Sequence, residues 1–403
     1  MKQTENLQLP ILQSGDKYTK ETQNEAFKKV DLHLGGLAKR VNNIVTSGGE
    51  SNIEIVDARI DNITGVVHNT IGERINSVSE QLDTINHKIT RKYGLNYFGA
   101  NIWLENSYTQ DTLDKIVERA VKNGFNSFLI TCYNTQDLKN NTIVQNRSNE
   151  TIIRCINSCK NYGIENIALK CHISPNSSAN INSIPNVMQI WKSRIENYAN
   201  LAYEHGVNTI FVSNEQINLT SSNRDVWKSI IDYCHNKGLK CFSSFANFND
   251  FYSCCFVDLL DGIGINYYPS AFTNKITKEE VIKNLGGYEG KEYSYRFKAI
   301  KNAFPDKNLF ITEIGICNNE QALLSPSKYQ FDNDIPINEE IQAWYYESFL
   351  QEFSKGDIGI EGIYVWSIGD SHNRTSNAIF SPLWNISCER VIKKYMGVNE
   401  YDI

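Results

Sequence analysis

From Tyr93-Gly94 onward, short apolar runs alternate with longer amphipathic stretches. Eight runs read as strands: Tyr97 to Ile102, Ser127 to Cys132, Ile167 to Ile173, Thr209 to Asn214, Leu239 to Ser244, Gly262 to Tyr267, Leu309 to Ile314 and Gly362 to Ser367. The segments between them repeat apolar residues at helical spacing, as in Leu113, Ile116, Val117 and Ala120, and several close on a glycine stop at Gly124, Gly163, Gly206 and Gly238. Strands alternating with helices in this way build a parallel sheet. Eight such units predict an α/β fold, a closed (β/α)8 TIM barrel over residues 95–403.

Upstream the pattern differs. Residues 1–50 are polar and weakly periodic, with turn signals at Ser14-Gly15-Asp16, Gly35-Gly36 and Ser47-Gly48-Gly49, and would struggle to bury a core alone. Within residues 51–94, Ile71, Ile75, Val78, Leu82, Ile85 and Ile89 follow the alternating four- and three-residue spacing of a coiled coil. β-Branched residues fill most sites of both core positions, which favours three or more helices, so a short homotrimeric coiled coil is expected. The alternative is a single amphipathic helix lying on the barrel.

Composition narrows the function classes. The 46 acidic and 40 basic side chains leave a net charge of −6 with no basic stripe, so nucleic acid is not an expected partner. No run of apolar residues is long enough to span a bilayer, and the opening MKQTENLQLP lacks the apolar core of a signal peptide, so a soluble chain made in the cytoplasm is expected, without membrane insertion. The ten cysteines show no CxxC pair or His-rich tract, so they read as reduced, mostly buried side chains rather than a zinc site or disulfide framework. No metal or organic cofactor is expected.

A (β/α)8 barrel carries its chemistry at the C-terminal ends of its strands. The fourth candidate strand ends in Ser213-Asn214-Glu215 and the seventh reads Phe310-Ile-Thr-Glu313-Ile-Gly315. Two glutamates facing one cleft are what glycoside hydrolysis requires, one to protonate the leaving oxygen and one to attack the anomeric carbon. Other strand ends supply Asn101 with Trp103, His172, Asn247, Asn266 with Tyr267 and Tyr268, and Trp366. Amides and imidazole suit sugar hydroxyls, and aromatic rings suit the flat C–H face of a sugar, so these are candidate substrate-binding residues.

Residues 97 to about 395 resemble the clan A retaining glycoside hydrolases, on Asn214-Glu215, Glu313, Tyr267 and Trp366. Within that clan they are similar to the β-mannanase-type family 113 and its phage-associated relatives, on Leu169-Lys-Cys-His172, Asp261-Gly-Ile-Gly-Ile-Asn-Tyr267 and Phe310-Ile-Thr-Glu313-Ile-Gly315. Cys171 departs from the pattern by standing where proline is commoner. The resemblance implies Glu215 as acid/base, Glu313 as nucleophile, Asn214 at the sugar 2-hydroxyl, Tyr267 holding the nucleophile, Trp366 beneath the sugar ring and His172 at the substrate or beside Glu215. It carries over the chemistry rather than mannan specificity. Separately, Ile53-Glu-Ile-Val-Asp-Ala-Arg59 and Thr70-Ile-Gly-Glu-Arg74, followed by the heptads, resemble the connector of tail fibres and receptor-binding proteins of phages that infect Gram-positive bacteria.

Together these imply a virion tail protein. Residues 1–50 would attach to other tail or baseplate proteins, residues 51–94 would connect and trimerise, and the barrel would bind and cut a bacterial surface polysaccharide. A non-catalytic glycan-binding adhesin on the same fold and a peptidoglycan-cleaving tail lysin are the alternatives.

Overall fold

The computed structural model describes residues 2–3, 10–11, 95–174, 179–285, 290–353 and 358–398. The chain divides into two compact units, residues 1–88 and 89–403. In the first, Lys2–Gln3 pairs antiparallel with Pro10–Ile11. The rest of the attachment region, the motifs at residues 53–59 and 70–74, and the coiled coil expected over residues 71–89 lie outside the described residues.

The second unit is a closed parallel barrel. Its strands are β1 (Tyr97–Ile102), β2 (Ser127–Asp137), β3 (Asn166–Ser174), β4 (Thr209–Asn214), β5 (Lys240–Phe245), β6 (Gly262–Asn266), β7 (Asn308–Ile314) and β8 (Gly362–Ile368). Each pairs with its sequence neighbours, and β1 pairs with both β2 and β8 to close the ring. Parallel neighbours need a crossover between them, and helices supply it. Helix α1 (Gln110–Lys122) packs Leu113, Ile116, Val117 and Ala120 against the sheet, the face that its spacing predicts.

Local chemistry sets where these helices begin and end. Thr109 caps α1 and Ser148 caps α2 (Asn149–Asn161), each side chain accepting from a backbone N–H in the first turn. The glycines after α1, α2, α3 (Val187–Glu204) and α4 (Arg224–Asn236) take the left-handed conformation, at φ +92, +76, +59 and +77°. Only glycine adopts it without cost, so each chain reversal into the next strand is written in the sequence.

β2 runs five residues beyond its expected end and turns back through Asn140-Asn141 into a short antiparallel strand, Thr142–Gln145. This hairpin was not foreseen, although an Asn-Asn turn between β-forming residues is a recognisable signal. It returns Arg147 to the rim of the barrel.

Candidate active site

Strict alternation along β4 and β7 would place Asn214 and Glu313 on the outer face of the barrel. In β7, Phe310 lies in the inward aromatic cluster, so Ile311 and Glu313 would both face outward. The pairing with β6 shifts between Ile311 and Glu313, and Thr312 and Glu313 both reach interior partners. β4 does the same: its pairing with β5 shifts between Phe211 and Ser213, which turns Asn214 inward. The β8–β1 register also shifts between Val365 and Ile368, around Trp366 and its cis peptide bond to Ser367. A one-residue bulge re-aims the side chains beyond it, and here it occurs on the strands that carry Asn214, Glu313 and Trp366.

These shifts gather a polar cluster. Glu313 is held at both oxygens: the ammonium of Lys170 donates to Oε1 at 2.5 Å, and the Tyr268 hydroxyl donates to Oε2 at 2.8 Å. Lys170 also donates to Asn101 Oδ1 at 3.0 Å. Burial pulls the Lys170 ammonium below its usual value, against the opposing effect of Glu313 and Glu215. Burial, then the charges of Glu313 and Glu215, push the Tyr268 phenol well above its usual value, so it remains a donor.

A second chain of hydrogen bonds reaches Glu215. Thr312 Oγ1 donates to Asn266 Oδ1 at 2.8 Å, and Asn266 Nδ2 donates to Glu215 Oε1 at 2.7 Å and Asn214 Oδ1 at 3.1 Å. Asn214 Nδ2 then lies 2.6 Å from His172 Nδ1. Burial, followed by the Lys170 charge, lowers the His172 pKa to about 3. A neutral imidazole that accepts at Nδ1 carries its proton on Nε2. Glu215 sits just past β4 in the left-handed region at φ 56°, with its N–H bonded to Ser244 O of β5 at 2.9 Å. That conformation is costly for a non-glycine residue and is found where function or close packing fixes it.

Aromatic rings line one side. Trp366 lies 5.6 Å from Trp103 and 6.5 Å from His172, and Tyr133 stacks on His172 at 5.6 Å and packs against Trp103 at 5.1 Å. The Arg147 guanidinium covers the Trp103 and Tyr133 rings and pairs with Glu105, which also accepts from Trp103 Nε1. The arrangement therefore offers two carboxylates in different electrostatic settings beside an aromatic wall. That is the equipment for acid/base and nucleophilic work on a glycosidic bond.

The model of Glycoside Hydrolase Family 113 matches residues 97–380. The chain belongs to glycoside hydrolase family 113. Three solved structures of that family share its fold. Two are described as GH113 β-1,4-mannanases, at TM-scores of 0.61 and 0.60 and 17% and 16% identity, covering 75% of this chain and 99% and 98% of theirs. The third, a GH113 β-mannanase from Alicyclobacillus acidocaldarius in complex with ManMIm, has a TM-score of 0.61 and 13% identity and covers 75% of this chain and 98% of its own. No curated protein matches the chain.

Within this family 113 barrel, Glu215, Glu313, Asn214, Asn266, His172, Trp103 and Trp366 come together as expected. Three expected residues do not. Tyr267 turns its ring away from Glu313 to pack between Phe297 and Phe353, at 5.9 and 5.8 Å, and the tyrosine that holds Glu313 is its neighbour Tyr268. Adjacent residues at the end of a strand point to opposite faces, and the choice between them depends on register. Asn101 is fully buried and occupied, bonding Thr312 O and Val365 O through Nδ2 and Lys170 through Oδ1, so it ties strands together rather than meeting a sugar. Asn247 is the exposed cap of the helix Phe248–Ser253, its Oδ1 accepting from Asn249 N and Asp250 N.

Sequence reasoning missed Lys170, Tyr133 and Arg147, and gave to Tyr267 the place at Glu313 that Tyr268 takes. Lys170 had a signal: a lysine inside the apolar run Ile167 to Ile173 must find a buried counter-charge. Among the described residues, one trio of potential metal ligands, His235, Cys241 and Asp261, comes within 4.8 Å, at the opposite, N-terminal end of β5 and β6. There Asp261 Oδ2 already accepts from Cys241 N at 2.7 Å and meets His235 at 2.8 Å.

Proposed function

We propose that this family 113 barrel hydrolyses a β-linked glycan with retention of configuration, with Glu313 as nucleophile and Glu215 as acid/base. The observation that carries this is that the two glutamates at the ends of β4 and β7 share one buried hydrogen-bonded cluster beside an aromatic wall. Glu313 accepts from the Lys170 ammonium and the Tyr268 phenol, and Glu215 Oε1 accepts from the amide of Asn266. Glu313 attacks the anomeric carbon as Glu215 protonates the departing oxygen. Glu215 then removes a proton from water as it displaces the glycosyl ester. Asn214 has a second N–H for a sugar 2-hydroxyl, His172 presents Nε2–H, and Trp366 with Trp103 forms a floor for a sugar ring.

The solved relatives are named as β-1,4-mannanases, which makes β-1,4-mannan the first substrate to test. The N-terminal motifs and the heptads from Ile71 to Ile89 support a virion tail setting, with a trimeric stalk presenting the barrel to a bacterial surface glycan. A digestion panel of β-1,4-mannan and Gram-positive wall polysaccharides, read by reducing ends, tests the activity. Release that disappears in Glu313→Gln supports it; binding without release from any glycan supports an adhesin. Light scattering of the full chain tests the stalk, and a monomer would contradict it.

A further inference from the structure

The geometry points to a second site, at the N-terminal mouth of the barrel, where His235, Cys241 and Asp261 bind a divalent cation of the zinc class. One potential ligand atom from each lies within 4.8 Å of the other two. Three consecutive elements deliver them. His235 stands in the last turn of α4, Cys241 is the second residue of β5, and Asp261 immediately precedes β6. Between the first two the chain doubles back: Gly238 N donates to His235 O at 2.8 Å, Leu239 N donates to Cys234 O at 3.1 Å, and Gly238 takes φ +77°. That turn returns Cys241 to α4, where its thiol meets Ile231 O at 3.9 Å. Asp261 is clasped to Cys241 twice, its own N–H donating to Cys241 O at 2.8 Å and its Oδ2 accepting from Cys241 N at 2.7 Å. The carboxylate is thus aimed by the backbone of β5, and His235 Nε2 already lies 2.8 Å from the same oxygen.

The donor set selects the ion. Magnesium and calcium take oxygen ligands, whereas one thiolate, one imidazole and one carboxylate suit zinc. Zinc bond lengths of about 2.0 to 2.3 Å place tetrahedral ligand atoms about 3.3 to 3.6 Å apart. The imidazole and carboxylate must therefore part slightly, and no pair has to close by more than about 1.5 Å. The means are present: the sulfur is fully buried and fixed, while the His235 and Asp261 side chains are 40% and 39% exposed, so they can adjust and admit the ion from solvent. Water completes the fourth position. As the metal–sulfur bond forms, the S–H bond of Cys241 breaks and its proton leaves to solvent; His235 binds through neutral Nε2, with its hydrogen on Nδ1. The Cys234 thiol, hydrogen-bonded to that of Cys241, supports the sulfur from behind. The ion clips the end of α4 to the starts of β5 and β6, at the face where such barrels keep stability rather than chemistry. The site is independent of the roles given to Glu215 and Glu313.

Zinc chloride and cobalt chloride, each added alone to the reduced full chain after stripping with a chelator, test this. Calorimetry should find a zinc site of micromolar or tighter affinity in the wild type. Changing only a residue that supports a metal ligand costs about 10–100-fold in affinity, so His235→Ala and Asp261→Asn, which each remove a ligand, should weaken that site at least about a hundred-fold. Asp261→Asn keeps an acceptor for Cys241 N, and His235 is exposed, so both variants are expected to fold. Cobalt should give a thiolate-to-metal absorption band in the wild type that is absent in Cys241→Ser. Zinc should also raise the melting temperature of the wild type and not that of His235→Ala. No zinc bound at millimolar concentration, cobalt bound without the thiolate band, or wild-type affinity in His235→Ala and Asp261→Asn would each overturn the proposal. If Cys241→Ser does not fold, those two variants decide it alone.

Discussion

The two mouths of this barrel are built by the same strands and are opposite in character. At the N-terminal mouth, Leu129, Ala168, Phe211, Phe242, Phe310 and Tyr364 form a separate apolar cluster with Tyr97 packed against it. Phe310 sits among Phe242, Tyr97 and Tyr364 at centroid distances of 5.5 to 6.1 Å. At the C-terminal mouth the same strands present Lys170, His172, Asn214, Glu313 and Trp366. The change of character on β4 and β7 coincides with their register shifts, between Phe211 and Ser213 and between Ile311 and Glu313. Below the shift, regular alternation packs rings and needs nothing else. Above it, the bulge turns polar groups inward, and each must then find a partner because unpaired buried polar atoms are costly. The plug supplies a rigid floor, and the network supplies chemistry.

That contrast can be broken from either end. The largest effect on stability is expected from the floor. Phe310→Ala should cost about 3–5 kcal/mol by opening a cavity, seen as a large drop in denaturant midpoint, while the kcat of the remaining folded enzyme stays within a few-fold. A comparable loss of kcat with stability intact would show that the floor takes part in the chemistry. Next, Tyr268→Phe removes a hydrogen bond to a charged group, worth about 1.5–3 kcal/mol, and should lower kcat/KM by roughly ten- to a hundred-fold. Tyr267→Phe should leave the rate within about two-fold. The reverse order would restore Tyr267 to the role expected of it from sequence.

A further effect is a pH dependence. His172 has a folded pKa of about 3 against an ordinary 6.5. Below pH 6.5 the unfolded chain takes up a proton that the folded chain refuses. Stability is therefore full above the ordinary value and is lost as pH falls toward the folded one, by up to about 1.4 kcal/mol per pH unit. His172→Asn keeps an acceptor for Asn214 but does not titrate. Whatever its stability at pH 7.5, the gap to wild type should move in favour of the variant by pH 4.5. Parallel melting curves for the two proteins across that range would contradict the neutral buried imidazole.

Much of this was legible before the structure. Each of the eight expected strands is present within a residue or two, except β2, which continues to Asp137. The glycine stops and the buried face of α1 follow directly from spacing. Both glutamates were found because strand ends in such a barrel are informative regardless of register. What failed depended on register or on a partner far away in the chain. Tyr267 and Tyr268 are distinguished only by which side of the chain faces Glu313. Asn101 looked like a sugar ligand because its acceptors, Thr312 O and Val365 O, come from β7 and β8. Lys170 was passed over because its counter-charge lies 143 residues later.

The central claim is that Glu313 performs the chemistry that its two hydrogen bonds prepare it for. The direct measurement is reducing-end release by wild type and Glu313→Gln from the glycan that the wild type cleaves, with β-1,4-mannan tested first and both proteins shown to be folded by circular dichroism. Loss of the nucleophile should lower the rate by at least about a thousand-fold, equivalent to some 4 kcal/mol of barrel-supplied transition-state stabilisation, with glycan binding retained. A folded Glu313→Gln enzyme that releases reducing ends at the wild-type rate would contradict the account.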